Sequence, residues 1–103
     1  MKRREVTVLA EAVEDLGQGK FFYDQREEGL GDYFFDSLLA DMESLAFFAG
    51  VHVRHSGYFR MLSSKFPFAV YYDFDGDAVM VVAVLDMRRS PAWNRRHLRG
   101  IKH

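Results

Sequence analysis

The chain contains no cysteine, which excludes disulfides, thiolate metal sites and thiol nucleophiles and suits a reducing compartment. Proline is scarce, at two residues in 103, and tryptophan occurs once. No repeat, linker or low-complexity stretch interrupts the sequence. Long hydrophobic runs are also missing. The apolar stretch AVMVVAVL is closed off by Asp77 and Asp86, far short of the ~20 residues a membrane helix needs. The segment MKRREVTVLAEAVEDL has basic residues but no continuous apolar core behind them. The expectation is a cytoplasmic protein with no membrane association and no cofactor.

Hydrophobic residues make up 49% of the chain and aromatic ones 16%, enough for one folded domain over residues 1–103 and too little length for two. The net charge of −1 conceals an asymmetry. Residues 1–53 carry eleven acidic and five basic side chains, whereas residues 54–103 carry four and nine. Most of the basic excess follows Met87, in Arg88, Arg89, Arg95, Arg96, Arg99 and Lys102, with no carboxylate side chain among them. Such a domain can meet a basic partner on one side and an acidic one on the other.

Periodicity predicts the elements. Glu5 to Leu9 reads as a short strand. Ala10, Val13 and Leu16 recur at helical spacing, with Glu11, Glu14 and Asp15 on other faces. Gly17 and Gly19 are expected to kink this helix, each costing up to about 1 kcal/mol relative to alanine. After Gly29-Leu-Gly31, Asp32 is a candidate N-cap. A second helix then follows to Phe48, its stripe formed by Phe35, Leu38, Leu39, Met42, Leu45 and Ala46. The segment VHVRHSG reads as either a loop or an edge strand. Tyr58 to Ser63 alternates, with Phe59 and Met61 opposite Tyr58, Arg60 and Leu62. In the next strand Phe68, Val70, Tyr72 and Phe74 oppose Ala69, Tyr71 and Asp73. Asp75-Gly76 predicts a type I′ hairpin turn. Ala78 to Leu85, apolar on both faces, reads as a central strand. Pro91 ends that strand or opens a short helix through Arg96. The predicted class is α+β: an N-terminal strand, a helical hairpin, an antiparallel three-stranded meander completing a small twisted sheet, and a short C-terminal helix.

Several phrases, in order, carry a family resemblance. They are Gly29-Leu-Gly31 before the second helix, Arg60 on an aromatic strand, Phe66-Pro67-Phe68, Val70-Tyr71-Tyr72, Asp75-Gly76, Val82-Ala83-Val84-Leu85, and Arg88-Arg89 with Pro91 and Trp93. The chain as a whole resembles the RelE/ParE superfamily of bacterial type II toxins (plasmid stabilisation proteins), and its ParE side in particular. The resemblance implies a growth-inhibiting toxin held in a hetero-oligomer by a cognate antitoxin. RelE-type members enter the ribosome and cut mRNA with basic residues on the sheet face and an arginine and a tyrosine near the last strand. ParE-type members keep the fold and poison DNA gyrase.

The sequence departs from the nuclease pattern. Leu62 and Ala69 stand at expected basic positions, Trp93 stands near the expected tyrosine, and Asp86 sits where many ParE-like chains have histidine. Cutting RNA requires a base, an acid and cations for the phosphorane. Arg60, Arg88 and Arg89 are the candidates if the chain is a nuclease, but arginine does not titrate near neutrality. His52, His55, His97 and His103 can titrate, yet no spacing ties them together, and structural or exposed roles are expected. Asp73, Asp75 and Asp77 read as turn residues rather than as a metal site.

For binding, Arg88, Arg89, Trp93, Arg95, Arg96 and Arg99 form the candidate surface. This group meets an acidic antitoxin segment with Trp93 as anchor, meets nucleic-acid phosphate, or forms a solvated helix face with Trp93 completing the core. Gyrase, the ribosome, or no toxic target at all remain open as the cellular role. Phe21, Phe22, Tyr23, Phe34, Phe35, Phe47 and Phe48 exceed what two short helices readily bury, so some are expected at the surface.

Overall fold

The computed structural model of the chain describes residues 3–101; Lys102 and His103, named above, lie outside them. The elements in order are β1 (Glu5–Val8), α1 (Ala10–Arg26), α2 (Leu30–Glu43), α3 (Leu45–Phe48), β2 (Arg54–His55), β3 (Tyr58–Leu62), β4 (Phe68–Asp75), β5 (Ala78–Asp86) and α4 (Pro91–Arg99). The class is α+β. The five strands form one sheet in the order β1-β5-β4-β3-β2, with β1 parallel to β5 and the other pairs antiparallel. The ambiguous VHVRHSG segment supplies the two-residue edge strand β2, which extends the predicted meander by one strand.

The alternation read from the sequence sorts the sheet's two faces. Phe68, Val70, Tyr72, Val79 and Val81 pack with Leu16, Phe34, Leu38 and Met42 of the helical hairpin. Ala69, Tyr71 and Leu85 join Leu98 and Ile101 on the opposite face, so α4 covers part of the sheet from that side. Alternation fails at one place. A register shift pairs Tyr71 with Ala83 and Tyr72 with Val81, leaving Val82 as the extra residue. Val82 and Ala83 therefore both enter the α4-side cluster, and Val84 returns to the hairpin side.

Four local expectations are corrected. Helix α1 runs unbroken through both glycines. Gly19 is buried, and a Cβ there would lie 2.6 Å from the Phe34 ring, whereas nothing approaches Gly17 within 4 Å. Gly19 is thus the contact point of the two helices rather than a flaw in one of them. Asp32 does not cap α2. Its N-cap is Gly29, at φ 86°, and the carboxylate that serves the helix start is Asp24 of α1, which accepts the Gly31 N–H at 2.8 Å. The predicted second helix divides at Ser44 into α2 and α3. The β4–β5 turn is centred on Gly76-Asp77, and of these only Gly76 has positive φ. Two consecutive positive φ values, as type I′ requires, occur instead at Ser56 (55°) and Gly57 (88°), between β2 and β3.

Histidine 52 has the expected structural role. The Tyr72 hydroxyl accepts the Gly50 N–H at 2.9 Å and lies 2.6 Å from His52 Nδ1. Burial holds the imidazole below the usual histidine range. Tyr72→Phe strands both partners and is expected to cost about 1–3 kcal/mol, read as a lower urea midpoint with an unchanged slope.

The surplus aromatics divide as predicted. Tyr23 and Phe34 are buried, while Phe21, Phe22, Phe47 and Phe48 remain exposed.

Candidate functional site: a cationic groove beside the C-terminal helix

Helix α4 is set by its start. Ser90 is its N-cap, with Oγ accepting the Trp93 N–H at 3.1 Å, and Pro91 fills the first helical position. Leu98 anchors the helix on the sheet. Between α4 and the uncovered end of β3 and β4 lies a groove of about 120 Å³. Arg60 enters it from β3, Arg89 from the β5–α4 connection and Arg95 from α4. Tyr71, Met87, Pro91 and Leu98 form its apolar lining, and His55 and Ser56 stand at the β2–β3 turn. Buried Asn94 donates from Nδ2 to the Asp86 carbonyl at 3.3 Å, and its Oδ1 has no partner among the described residues. Among the described residues, no carboxylate lines the groove.

The arginine group foreseen in the sequence is therefore brought together only in part. Arg60, Arg89 and Arg95 share the groove. Arg88 does not: Asp86 holds its guanidinium through both carboxylate oxygens, at 2.9 and 2.8 Å, and also accepts its backbone N–H at 2.8 Å. Burial pushes the Asp86 carboxyl up, but these Arg88 bonds outweigh it and hold the group below the usual range. The Arg88 guanidinium lies over Phe22 and reaches the Tyr23 hydroxyl at 3.4 Å, on the helical-hairpin side. The negative charge placed beside the arginine pair thus selects which arginine is withdrawn. Arg99 is exposed and lines no groove described here.

Trp93 and Arg96 face a second cleft, opposite Glu11, Glu14 and Asp15 of α1. The indole is stacked from two directions in the chain. Arg89 lies 4.0 Å from its centre, and the His97 ring lies 5.1 Å away at 10°. Trp93 also packs against the α4-side cluster, so it is a bracket between core and surface.

Asp15 is the residue that the sequence did not single out. Periodicity placed it off the apolar stripe of α1, yet its side chain is only 10% exposed. Strand β1 stops opposite Val81, so the last residues of β5 have no strand neighbour on that side. Asp15 Oδ2 accepts the Val84 N–H there at 3.0 Å. Burial is the main reason its carboxyl is raised to about 6, against the lowering effects of the Val84 N–H and His97. A short first strand before a helix was the available signal, but which carboxylate reaches the orphaned N–H depends on where β5 passes.

Five strands, a helical hairpin on one face and a helix with a cationic groove on the other define a ParE-like α+β fold. No family model matches the chain, and no curated protein is similar to it. Among solved structures, a chain of the chromosomal ParDE TA system from P. aeruginosa matches with a TM-score of 0.72 at 13% identity, over 80% of this chain and 94% of that one. At that identity the likeness concerns the fold. No helix among the described residues is long and apolar enough to cross a membrane.

Proposed function

We propose that this chain is the toxin of a type II toxin–antitoxin pair, of ParE type, held inactive by a cognate antitoxin. The observation that carries the reading is the likeness of its fold, over most of its length, to a chain of a ParDE TA system. Growth inhibition follows from binding an essential target, with DNA gyrase the first candidate by analogy of fold. The cationic groove and the outer face of α4 are the binding surface. Arg60, Arg89 and Arg95 supply charge with no carboxylate among the described residues lining the groove, Trp93 and Arg96 lie on the neighbouring cleft opposite Glu11 and Glu14, and Arg99 is exposed on the same helix.

Induced expression is expected to arrest growth, and co-expression of the neighbouring reading frame to restore it. Normal growth after induction in a host without that neighbour would overturn the proposal. Undisturbed supercoiling by gyrase at high concentrations of the purified chain would remove gyrase as the target. Arg89→Ala with Arg95→Ala is expected to weaken the antitoxin complex by at least tenfold, since charged hydrogen bonds contribute about 1.5–3 kcal/mol. Titration calorimetry at low and high salt measures this.

A second reading is a ribosome-dependent mRNA endonuclease. It is favoured by the placement of His55, a titratable group, at the mouth of the groove that holds Arg60 and Arg89. Intact transcripts during growth arrest would exclude it.

A further inference from the structure

The β2–β3 turn holds a strained residue at the mouth of the cationic groove. Ser56 stands at φ 55° and is the one non-glycine residue with positive φ among the described residues. The left-handed region suits glycine, and a side chain there is strained. Glycine fills the next position, Gly57, at φ 88°. Arg54 Nη2 holds the turn by donating to the Gly57 carbonyl at 2.6 Å. Nothing inside the chain uses the serine, whose hydroxyl has no hydrogen-bond partner among the described residues. It is exposed and lines the groove beside His55. Strain kept at such a place points to a contact made outside the chain.

The rest of the groove fixes the chemistry of that contact. Arg60, Arg89 and Arg95 enter from three separate parts of the fold, and none of them is ion-paired among the described residues. The Arg89 guanidinium lies 4.0 Å from the centre of the Trp93 ring. Stacking takes its flat face and leaves its N–H edge to donate. A volume of about 120 Å³ admits one acidic group and its stem, whereas a helix, about 10 Å wide with its side chains, does not enter. Met87, Pro91 and Leu98 offer apolar wall to the methylene groups of such a stem. Single-stranded nucleic acid relies on free aromatic faces for its bases. The groove has none to offer. Tyr71 is buried, and Trp93 already carries Arg89 and the His97 ring, the latter 5.1 Å away at 10°.

We propose that the groove takes a glutamate or aspartate side chain from an extended acidic segment of a protein partner, and that Ser56 is held in its left-handed conformation to donate to that carboxylate. This rests on the groove being the binding surface and adds which group it reads. It does not depend on whether the chain arrests growth.

Capped tetraglutamate and pentauridylate carry equal charge and separate the two kinds of partner. Their binding to the full chain is followed by amide chemical shifts at low ionic strength, where screening is weak. Tetraglutamate is expected to bind at least about threefold more tightly and to shift the amides around Ser56, Arg60 and Arg89, since the apolar wall favours a peptide side chain. Ser56→Gly is expected to raise the urea midpoint as the strain is relieved. The same variant should bind tetraglutamate about threefold or more weakly, the effect of one lost hydrogen bond to a charged group. Ser56→Asn, at ease in the left-handed region and still carrying a donor, should also raise the midpoint and keep more of the affinity. Pentauridylate binding as tightly as tetraglutamate would overturn the protein partner, and no tetraglutamate binding at the groove would overturn the site. A wild-type affinity or a lower urea midpoint in Ser56→Gly would overturn the role given to Ser56. Growth arrest is read separately, so a chain that binds tetraglutamate without stopping growth fails as a toxin and keeps this inference.

Discussion

Replacing Phe34 by alanine is expected to cost about 3–5 kcal/mol, the range for deleting a fully buried aromatic side chain. Against a total stability of about 5–15 kcal/mol for a domain of this size, that is a large fraction of the whole. The ring is 0% exposed. It lies 5.1 Å from Tyr23, 5.1 Å from Phe66 and 4.8 Å from Phe68, centre to centre. It thereby joins α1, α2, the β3–β4 connection and β4, and its loss leaves a cavity where all four meet. Equilibrium unfolding in urea, followed by far-UV circular dichroism, measures the cost.

The neighbouring glycines sharpen this prediction. Gly19→Ala pushes a methyl group to within 2.6 Å of the Phe34 ring tip and is expected to destabilise by about 1–3 kcal/mol. Gly17→Ala, two residues away in the same helix with nothing near it, is expected to stabilise by up to about 1 kcal/mol. Opposite signs for one chemical change separate helix propensity from packing. The atoms that Gly19→Ala would strike are absent from leucine. Gly19→Ala should therefore cost clearly less in a Phe34→Leu background, by about 1 kcal/mol or more of coupling. Additive costs in that cycle would refute the contact.

The second large effect is in the pH dependence of stability. The Asp15 carboxyl stands at about 6 in the folded chain against an ordinary value of 3.8. Between those two values the folded chain holds a proton that the unfolded chain has released, so stability falls as pH rises. The contribution is fully present below about pH 3.8 and lost once pH passes about 6. It amounts to about 3 kcal/mol, from 1.36 kcal/mol per unit. Asp24 and Asp86, both held below the usual range by their partners, act in the opposite direction and lose their contribution as pH falls. The comparison that isolates Asp15 is therefore between wild type and Asp15→Asn. The variant is expected to be more stable at pH 8 by up to that amount and to lose the advantage near pH 4. Equal stabilities at pH 8 would mean that burial of the carboxylate carries no cost.

Much of the fold is legible in the sequence because it depends on local period and on chain order. The two-residue period of Phe68 to Phe74 sorts core from opposite face without help. So does the helical stripe of Leu38, Met42 and Leu45, and Pro91 offered the start of α4 as one of two readings. The errors share a cause. Gly19 looked like a flaw because its partner, Phe34, lies fifteen residues on in another helix. Asp32 looked like a cap because the carboxylate that accepts from the helix start, Asp24, precedes the turn. Val82 and Ala83 share a face because a bulge opposite Tyr71 inserts one residue, which no period reveals.

The site divides along the same line. That a basic surface with one tryptophan follows the last strand is written in the order of residues 88–99. That Arg60, Arg89 and Arg95 share a groove while Arg88 turns back to Asp86 is decided by packing. Strand β3 is far from α4 in sequence and adjacent in space, and two neighbouring arginines leave a strand end in different directions. Charge and periodicity are properties of single residues and their spacing, so the sequence determined the ParE-like scaffold and its cationic end. Burial and converging side chains are properties of pairs brought together by folding. Only the tertiary structure could place Asp15 under His97 or leave His55 at the mouth of the groove.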